Sequence, residues 1–162
     1  DAFGKGLIKT SGMGKVLNLS QGKLGGDRAT VISVVGQLMR GLTSLDLSAN
    51  KINVHEVKEL AGAILANASM TSINLSSNNI AGVTETGYVK ASKVQGSSFN
   101  VGDKVVYEGK EMVVSKAKDN DGYIRMSTIP DLAGIKSIAD AIRVSPSITS
   151  VSLLGNYFDI ET

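Results

Sequence analysis

Apolar and small polar positions alternate through "LTSLDLSANKI", residues 42–52. Leu45 and Leu47 are separated by Asp46 and flanked by Ser44 and Ser48. A period of two predicts a short strand with its leucines inward and its small polar groups outward. The period then changes. Val54, Val57, Leu60, Ala61 and Ile64 recur at intervals of three and four, the spacing of one helix face, and predict a helix over 54–66. The strand half of this unit is written several times. Leu17, Leu19 and Leu24 recur as Leu45, Leu47 and Ile52 and again as Ile73, Leu75 and Ile80, each step being 28 residues.

A fourth copy, Val151, Leu153 and Phe158, stands 78 residues beyond the third, so one copy carries 50 extra residues. The helical half locates them. Leu132, Ile135, Ile138, Ala139 and Ile142 repeat the Val54 to Ile64 face 78 residues later, so the chain leaves the repeat after Ile80 and rejoins it near Leu132. A further helix over 27–39 follows its own register, with Val31, Val34, Val35 and Leu38 on one face. Asn50, Asn78 and Asn156 fall where each strand turns away, and an amide that both donates and accepts suits the backbone of a buried bend. In the first copy Gly22 takes that place; it permits the turn but offers no such bonds, so an irregular first repeat is expected. Asp131, after Pro130, is placed to cap the helix over 132–144.

"LTSLDLSANKI", "MTSINLSSNNI" and "ITSVSLLGNYF", with their helices, resemble leucine-rich repeats of the ribonuclease-inhibitor type over residues 14–80 and 131–158. The resemblance implies an α/β solenoid of about three and a half repeats over 14–81 and 131–162, with parallel strands concave and helices convex. Residues 1–13 are then an N-terminal extension and 82–130 an inserted β module. The outward strand rows, Ser44, Ser72 and Ser150 beside Asn18, Asp46, Asn74 and Ser152, are small and uncharged except at Asp46. They lack the Trp, Tyr and Arg that dominate binding hot spots.

The insert holds Tyr88, Phe99, Tyr107 and Tyr123, four of the seven aromatic residues. Val105 and Tyr107 alternate with Val106, and Met112 and Val114 with Val113, which predicts two strands joined by a two-residue turn at Gly109 and Lys110 of type II′. "DNDG", residues 119–122, turns the chain into a third strand over 122–126, and 87–94 supplies a fourth. The pattern resembles a small SH3-like barrel. That resemblance implies a peptide, nucleic acid or neighbouring subunit as partner and does not choose among them.

Composition narrows the chemistry. Seventeen basic against fifteen acidic residues give a charge of +2, and only the start, with Lys5, Lys9, Lys15, Lys23 and Arg28, is locally basic. Without cysteine there are no disulfides, thiolate metal sites or cysteine nucleophiles. The longest apolar runs fall far short of the ~20 residues of a membrane-spanning helix, so the protein is expected to be soluble or peripheral. Asp1 at the start points to a processed or trimmed chain. The short, small-residue repeats also resemble expanded leucine-rich families of unicellular algae, which implies an organellar, chloroplast address.

His55, the one histidine, lies beside Glu56 and Glu59 on an exposed helix position. Asp119, Asp121 and Gly122 lack the closing glutamate of a calcium loop, and "GMGKV" at 12–16 lacks the glycine spacing and the Ser or Thr of a phosphate-binding loop. Glu108 and Glu111 flank a hairpin as solvent charges. The expectation is a protein that is not an enzyme and takes no cofactor or metal. It would be a protein-binding module or accessory subunit of a larger assembly. The candidate partner-binding residues are Leu154, Tyr157, Phe158 and Ile160 at an open C-terminal end, where self-association is also expected, together with Tyr107 and Tyr123 on the insert. The alternative is a nucleic-acid-binding protein that uses Tyr107, Tyr123, Lys104, Lys116, Lys118 and Arg125.

Overall fold

The computed structural model describes residues 8–11, 14–22 and 41–156. These fall into two compact units, one running up to Ala81 and resuming over Leu132–Asn156, the other Gly82–Asp131.

The first unit is a sheet with helices. Strands β2 (Gly14–Asn18), β3 (Leu42–Asp46), β4 (Ser72–Asn74) and β9 (Ser150–Ser152) are parallel neighbours, and β1 (Ile8–Ser11) pairs antiparallel with β2. Part of the expected N-terminal extension is thus an edge strand. Repeat positions face one another across the sheet: Leu17 pairs with Leu45, Leu45 with Ile73, and Ile73 with Val151. Sequence period has become strand register. Leu45, Leu47, Ile52, Ile73, Leu75 and Ile80 are buried, whereas Ser44, Asp46 and Ser48 are only partly covered.

Helix α1 (Val54–Leu65) buries Val57, Leu60, Ala61 and Ile64. Its start is closed by a capping box: Asn53 Oδ1 accepts from the amides of His55 at 2.9 Å and Glu56 at 3.0 Å, and Glu56 Oε2 accepts from the Asn53 amide at 2.8 Å. Two of the free first-turn amides are thereby satisfied, which accounts for a glutamate buried at this position.

Helix α2 (Ala133–Val144) differs from its expected twin in two ways. The helix begins one residue after the expected start, with Leu132 rather than Asp131 at the N-cap position. Its inward face is also rotated. Gly134, Ile138 and Ala141 are buried, whereas Leu132 is 57% exposed and Ala139 is exposed. Gly134 explains the rotation, because a Cβ there would lie 2.5 Å from Val57 Cγ1 and 2.9 Å from the Ile80 carbonyl oxygen. Only a glycine lets the two helices approach this closely.

The second unit is antiparallel. Its strands β5 (Val89–Lys90), β6 (Lys104–Tyr107), β7 (Lys110–Lys116) and β8 (Tyr123–Thr128) lie in the order β5-β8-β7-β6. After β5 the chain makes a 3-10 turn over Ala91–Lys93, and Gln95 then exchanges backbone bonds with Val106 at 2.8 and 2.9 Å. One short run therefore touches both edges of the sheet and curls it into a half-barrel. Inside lie Ala91, Val94, Val105, Met112, Val114, Ile124 and Met126, with Val89, Phe99 and Tyr107 packed against them. The hairpin turn is Glu108 and Gly109 with φ of 50° and 74°, two left-handed residues as a type I′ turn requires, and not Gly109–Lys110 in a type II′ turn. The third strand runs 123–128, and the fourth is only two residues long because the chain must turn across the barrel end.

The expected fold class is therefore corrected. The described residues hold two helices and two sheets, one parallel apart from its β1 edge and one a curled antiparallel half-barrel. They do not form a helix-rich leucine-rich-repeat solenoid with a convex helix layer. A 28-residue period dictates which strand positions pair, and that register is kept; it does not dictate how many helices stack beside the sheet. The expected helix over 27–39 lies outside the described residues, and the third copy gives its middle to four antiparallel strands.

Candidate binding surface on the antiparallel unit

Along strand β8, Ile124 and Met126 lie in the core and Tyr123, Arg125 and the buried Ser127 on the opposite face. Its neighbours add to that face. Lys90 of β5 pairs with Tyr123, and Lys116 of β7 pairs with Arg125 after an irregularity between Val114 and Lys116. The Lys90 ammonium lies 5.4 Å from the centre of the Tyr123 ring, a cation–π distance. Tyr88, 55% exposed, is approached by two cations. The Arg125 guanidinium carbon is 5.7 Å from its ring centre, and Lys116 Nζ donates to its hydroxyl oxygen at 2.7 Å. Lys116 Nζ is also 5.1 Å from that ring centre, but so short a contact to the hydroxyl puts it off the phenol end, so the interaction is a hydrogen bond rather than a π contact.

Three cations and two tyrosines thus share one face. Arg125 has a carboxylate partner, Glu85 Oε2 at 2.6 Å, with both side chains over a third exposed. Such a pair contributes at most about 1 kcal/mol. Neither Lys90 nor Lys116 forms an ion pair among the described residues. Elsewhere on the face Val113 and Ser127 are buried, so the accessible part is the end that carries Tyr88, Lys90, Lys116, Tyr123 and Arg125.

The expected site residues are distributed unevenly. Tyr123 belongs to this surface. Tyr107 turns inward against the barrel core, and its hydroxyl bonds to Glu108, which holds its pKa above the ordinary tyrosine value. Of the proposed nucleic-acid contacts, Tyr123, Lys116 and Arg125 are brought together. Lys104 stands on β6 opposite Val113, and Lys118 lies beyond the end of β7. Leu154 is 79% exposed in the turn after β9, and its carbonyl accepts from the Ser77 amide at 2.7 Å. Tyr157, Phe158 and Ile160 lie outside the described residues. Tyr88, Lys90 and Glu85 were missed as site residues. "YVK" at 88–90 alternates like "YIR" at 123–125, and that shared pattern was the available signal.

The three asparagines form a ladder in the first unit. Asn50 Nδ2 donates to the carbonyls of Leu19 at 2.7 Å and Leu47 at 3.0 Å, and Asn78 Nδ2 to Leu47 at 3.0 Å and Leu75 at 2.9 Å. Asn156 Nδ2 continues to Leu75 at 2.9 Å and Leu153 at 2.8 Å. Asn78 Oδ1 also accepts from the amides of Asn50 at 2.9 Å and Ile52 at 3.0 Å. Each asparagine binds backbone of its own and a neighbouring copy, so the ladder holds structure and leaves no group for a ligand. A parallel row of threonines does the same at the strand entrances, Thr71 Oγ1 to Thr43 O at 2.8 Å and Thr149 Oγ1 to Thr71 O at 3.2 Å.

His55 is exposed on α1, and no group of three or more His, Cys, Asp or Glu able to hold a metal occurs among the described residues. Asp119 Oδ1 accepts from the amides of Asp121 at 3.1 Å and Tyr123 at 2.8 Å and so shapes the turn into β8. Asp103 is held below the usual carboxylate range by hydrogen bonds from Ser98 and the Asn100 amide, closing the loop before β6. Among the described residues no helix is long and apolar enough to cross a membrane. Compared with known protein families, with curated proteins and with solved structures, the chain matches none.

Proposed function

We propose that this chain is a non-catalytic protein-binding module, an accessory subunit that meets its partner through the antiparallel unit. The observation that carries this is the accessible face of Tyr88, Lys90, Lys116, Tyr123 and Arg125, where aromatic area and positive charge stand together. Tyrosine and arginine are the residues that most often supply binding energy at interfaces. The outward rows of the parallel sheet offer less. Asn18, Asp46 and Asn74 each accept from the hydroxyl two residues on, Ser20 at 2.9 Å, Ser48 at 2.7 Å and Ser76 at 2.7 Å, so their oxygens are engaged within the turn.

The test is co-purification of the tagged full-length chain under native conditions, beside a Tyr88→Ser, Tyr123→Ser double variant shown by circular dichroism to stay folded. A stoichiometric partner retained by the first and lost by the second supports the proposal; equal retention removes the binding role of this face. Nucleic-acid binding is the second reading, favoured by the meeting of Tyr123, Lys116 and Arg125. Seven acidic residues balance seven basic ones over 82–131, however, which opposes a polyphosphate partner.

A further inference from the structure

We propose that the partner reaches this face as an extended acidic peptide segment, with carboxylates two residues apart lying along β8. The proposal rests on the protein-binding function above and names the chemistry of the bound segment. Tyr123 and Arg125 are two residues apart on one strand, a separation of about 6.7 Å, which is also the distance between alternate side chains of an extended peptide. Each end of that step is a cationic row: Lys90 against Tyr123, and Arg125 with Lys116 around Tyr88. One carboxylate would meet Lys90, and the next would meet Lys116 and Arg125.

The aromatic rings argue for carboxylates over bases. A base stacks on a ring face, and one face of Tyr123 already carries the Lys90 ammonium and one face of Tyr88 the Arg125 guanidinium. These contacts hold the cations in place over the face, which lowers the ordering cost of binding an anion. The basic residues also cover one strand step rather than a continuous groove, which is too short to track a nucleic-acid backbone. Glu85 already occupies Arg125 as an internal carboxylate at 2.6 Å. An incoming acidic side chain would replace it, so Glu85 acts as a built-in competitor.

Fluorescence anisotropy with the full chain tests this. The probes are a labelled Glu-Ala-Glu-Ala-Glu peptide, the same peptide with Gln in place of Glu, and a labelled oligothymidylate. The acidic peptide should bind, weaken with added salt, and lose about fivefold in affinity in Lys90→Gln or Lys116→Gln. Glu85→Gln should instead bind about threefold tighter, a gain that misfolding cannot produce. The proposal is overturned if the Gln peptide binds equally well, if Glu85→Gln gives no gain, or if oligothymidylate binds more tightly and loses affinity in the same lysine variants. If no acidic probe binds while the tagged chain still retains a partner that the double tyrosine variant loses, the acidic-segment proposal fails and the protein-binding function stands. If the probe binds but no partner is retained, that function falls.

Discussion

On the parallel sheet the outward polar groups are tied into the turns that follow their own strands; on the antiparallel sheet they reach across to neighbouring segments. Asn18, Asp46 and Asn74 accept from the serines two residues on, and the strands that carry them are three to five residues long, so every outward group lies within reach of a turn. Strands β7 and β8 run seven and six residues, and their accessible outward groups include Lys116, Tyr123 and Arg125, long side chains that reach neighbouring segments: Lys116 the Tyr88 hydroxyl, and Arg125 the Glu85 carboxylate and the Thr86 carbonyl. Short strands with short side chains satisfy themselves. Longer strands with long side chains leave polar atoms and ring area for another molecule. The comparison teaches that the more repetitive region is a frame and the irregular one is the candidate for contact.

Replacing 82–131 by a short turn should give the largest contrast. The Ile80 carbonyl lies so near residue 134 that a Cβ there would come within 2.9 Å of it, so the two ends of the first unit can be joined without displacing α2. A cooperative denaturant transition should survive and partner retention should vanish. Loss of the transition would show that the frame depends on the module.

Asn78→Ala comes next. Asn78 is 3% exposed, and its side-chain amide serves three backbone carbonyls and two backbone amides that would lose it as a partner. The expected cost is about 3 kcal/mol in urea titration, the upper end for one buried polar group. A loss under 1 kcal/mol would mean that water takes over the ladder.

Gly134→Ala should cost about 2 kcal/mol, since the new methyl must push Val57 and the Ile80 carbonyl away. Recovery by a second change, Val57→Ala, would identify the helix contact as the cause. Asp46→Ala is the smallest. The carboxylate accepts from the Ser48 amide at 2.9 Å and from the Asn18 side chain at 3.3 Å, in addition to the Ser48 hydroxyl, but it is partly solvated; about 1 kcal/mol is expected. An effect as large as that of Asn78→Ala would erase the distinction between the inward and outward rows.

Much of the frame was readable from residue spacing. The 28-residue period placed Leu17, Leu45 and Ile73 in one row, and Val151 joins that row once the 50 extra residues of the third copy are set aside. The α1 face was readable for the same local reason, and Asn53 and Glu56 stand at the spacing of its capping box. The α2 face was not readable from its homology of spacing to α1. Which side turns inward there depends on Gly134 meeting Val57, a contact between residues 77 positions apart.

The antiparallel unit divides in the same way. Alternation in Val105 to Tyr107 and Met112 to Val114 announced strands, yet it put Tyr107 among the binding candidates although the inward-facing alternate positions include it. Tyr88, Lys90, Lys116, Tyr123 and Arg125 come from three strands and the residue before β5, and their meeting required β5 to pair with β8 and the chain near Lys116 to slip its register. By itself the sequence determined periods, strand faces and the asparagine positions, because those follow from geometry repeated over a few residues. Tertiary structure decided the helix face and the cationic tyrosine surface, because both arise from pairings between distant segments that no local period encodes.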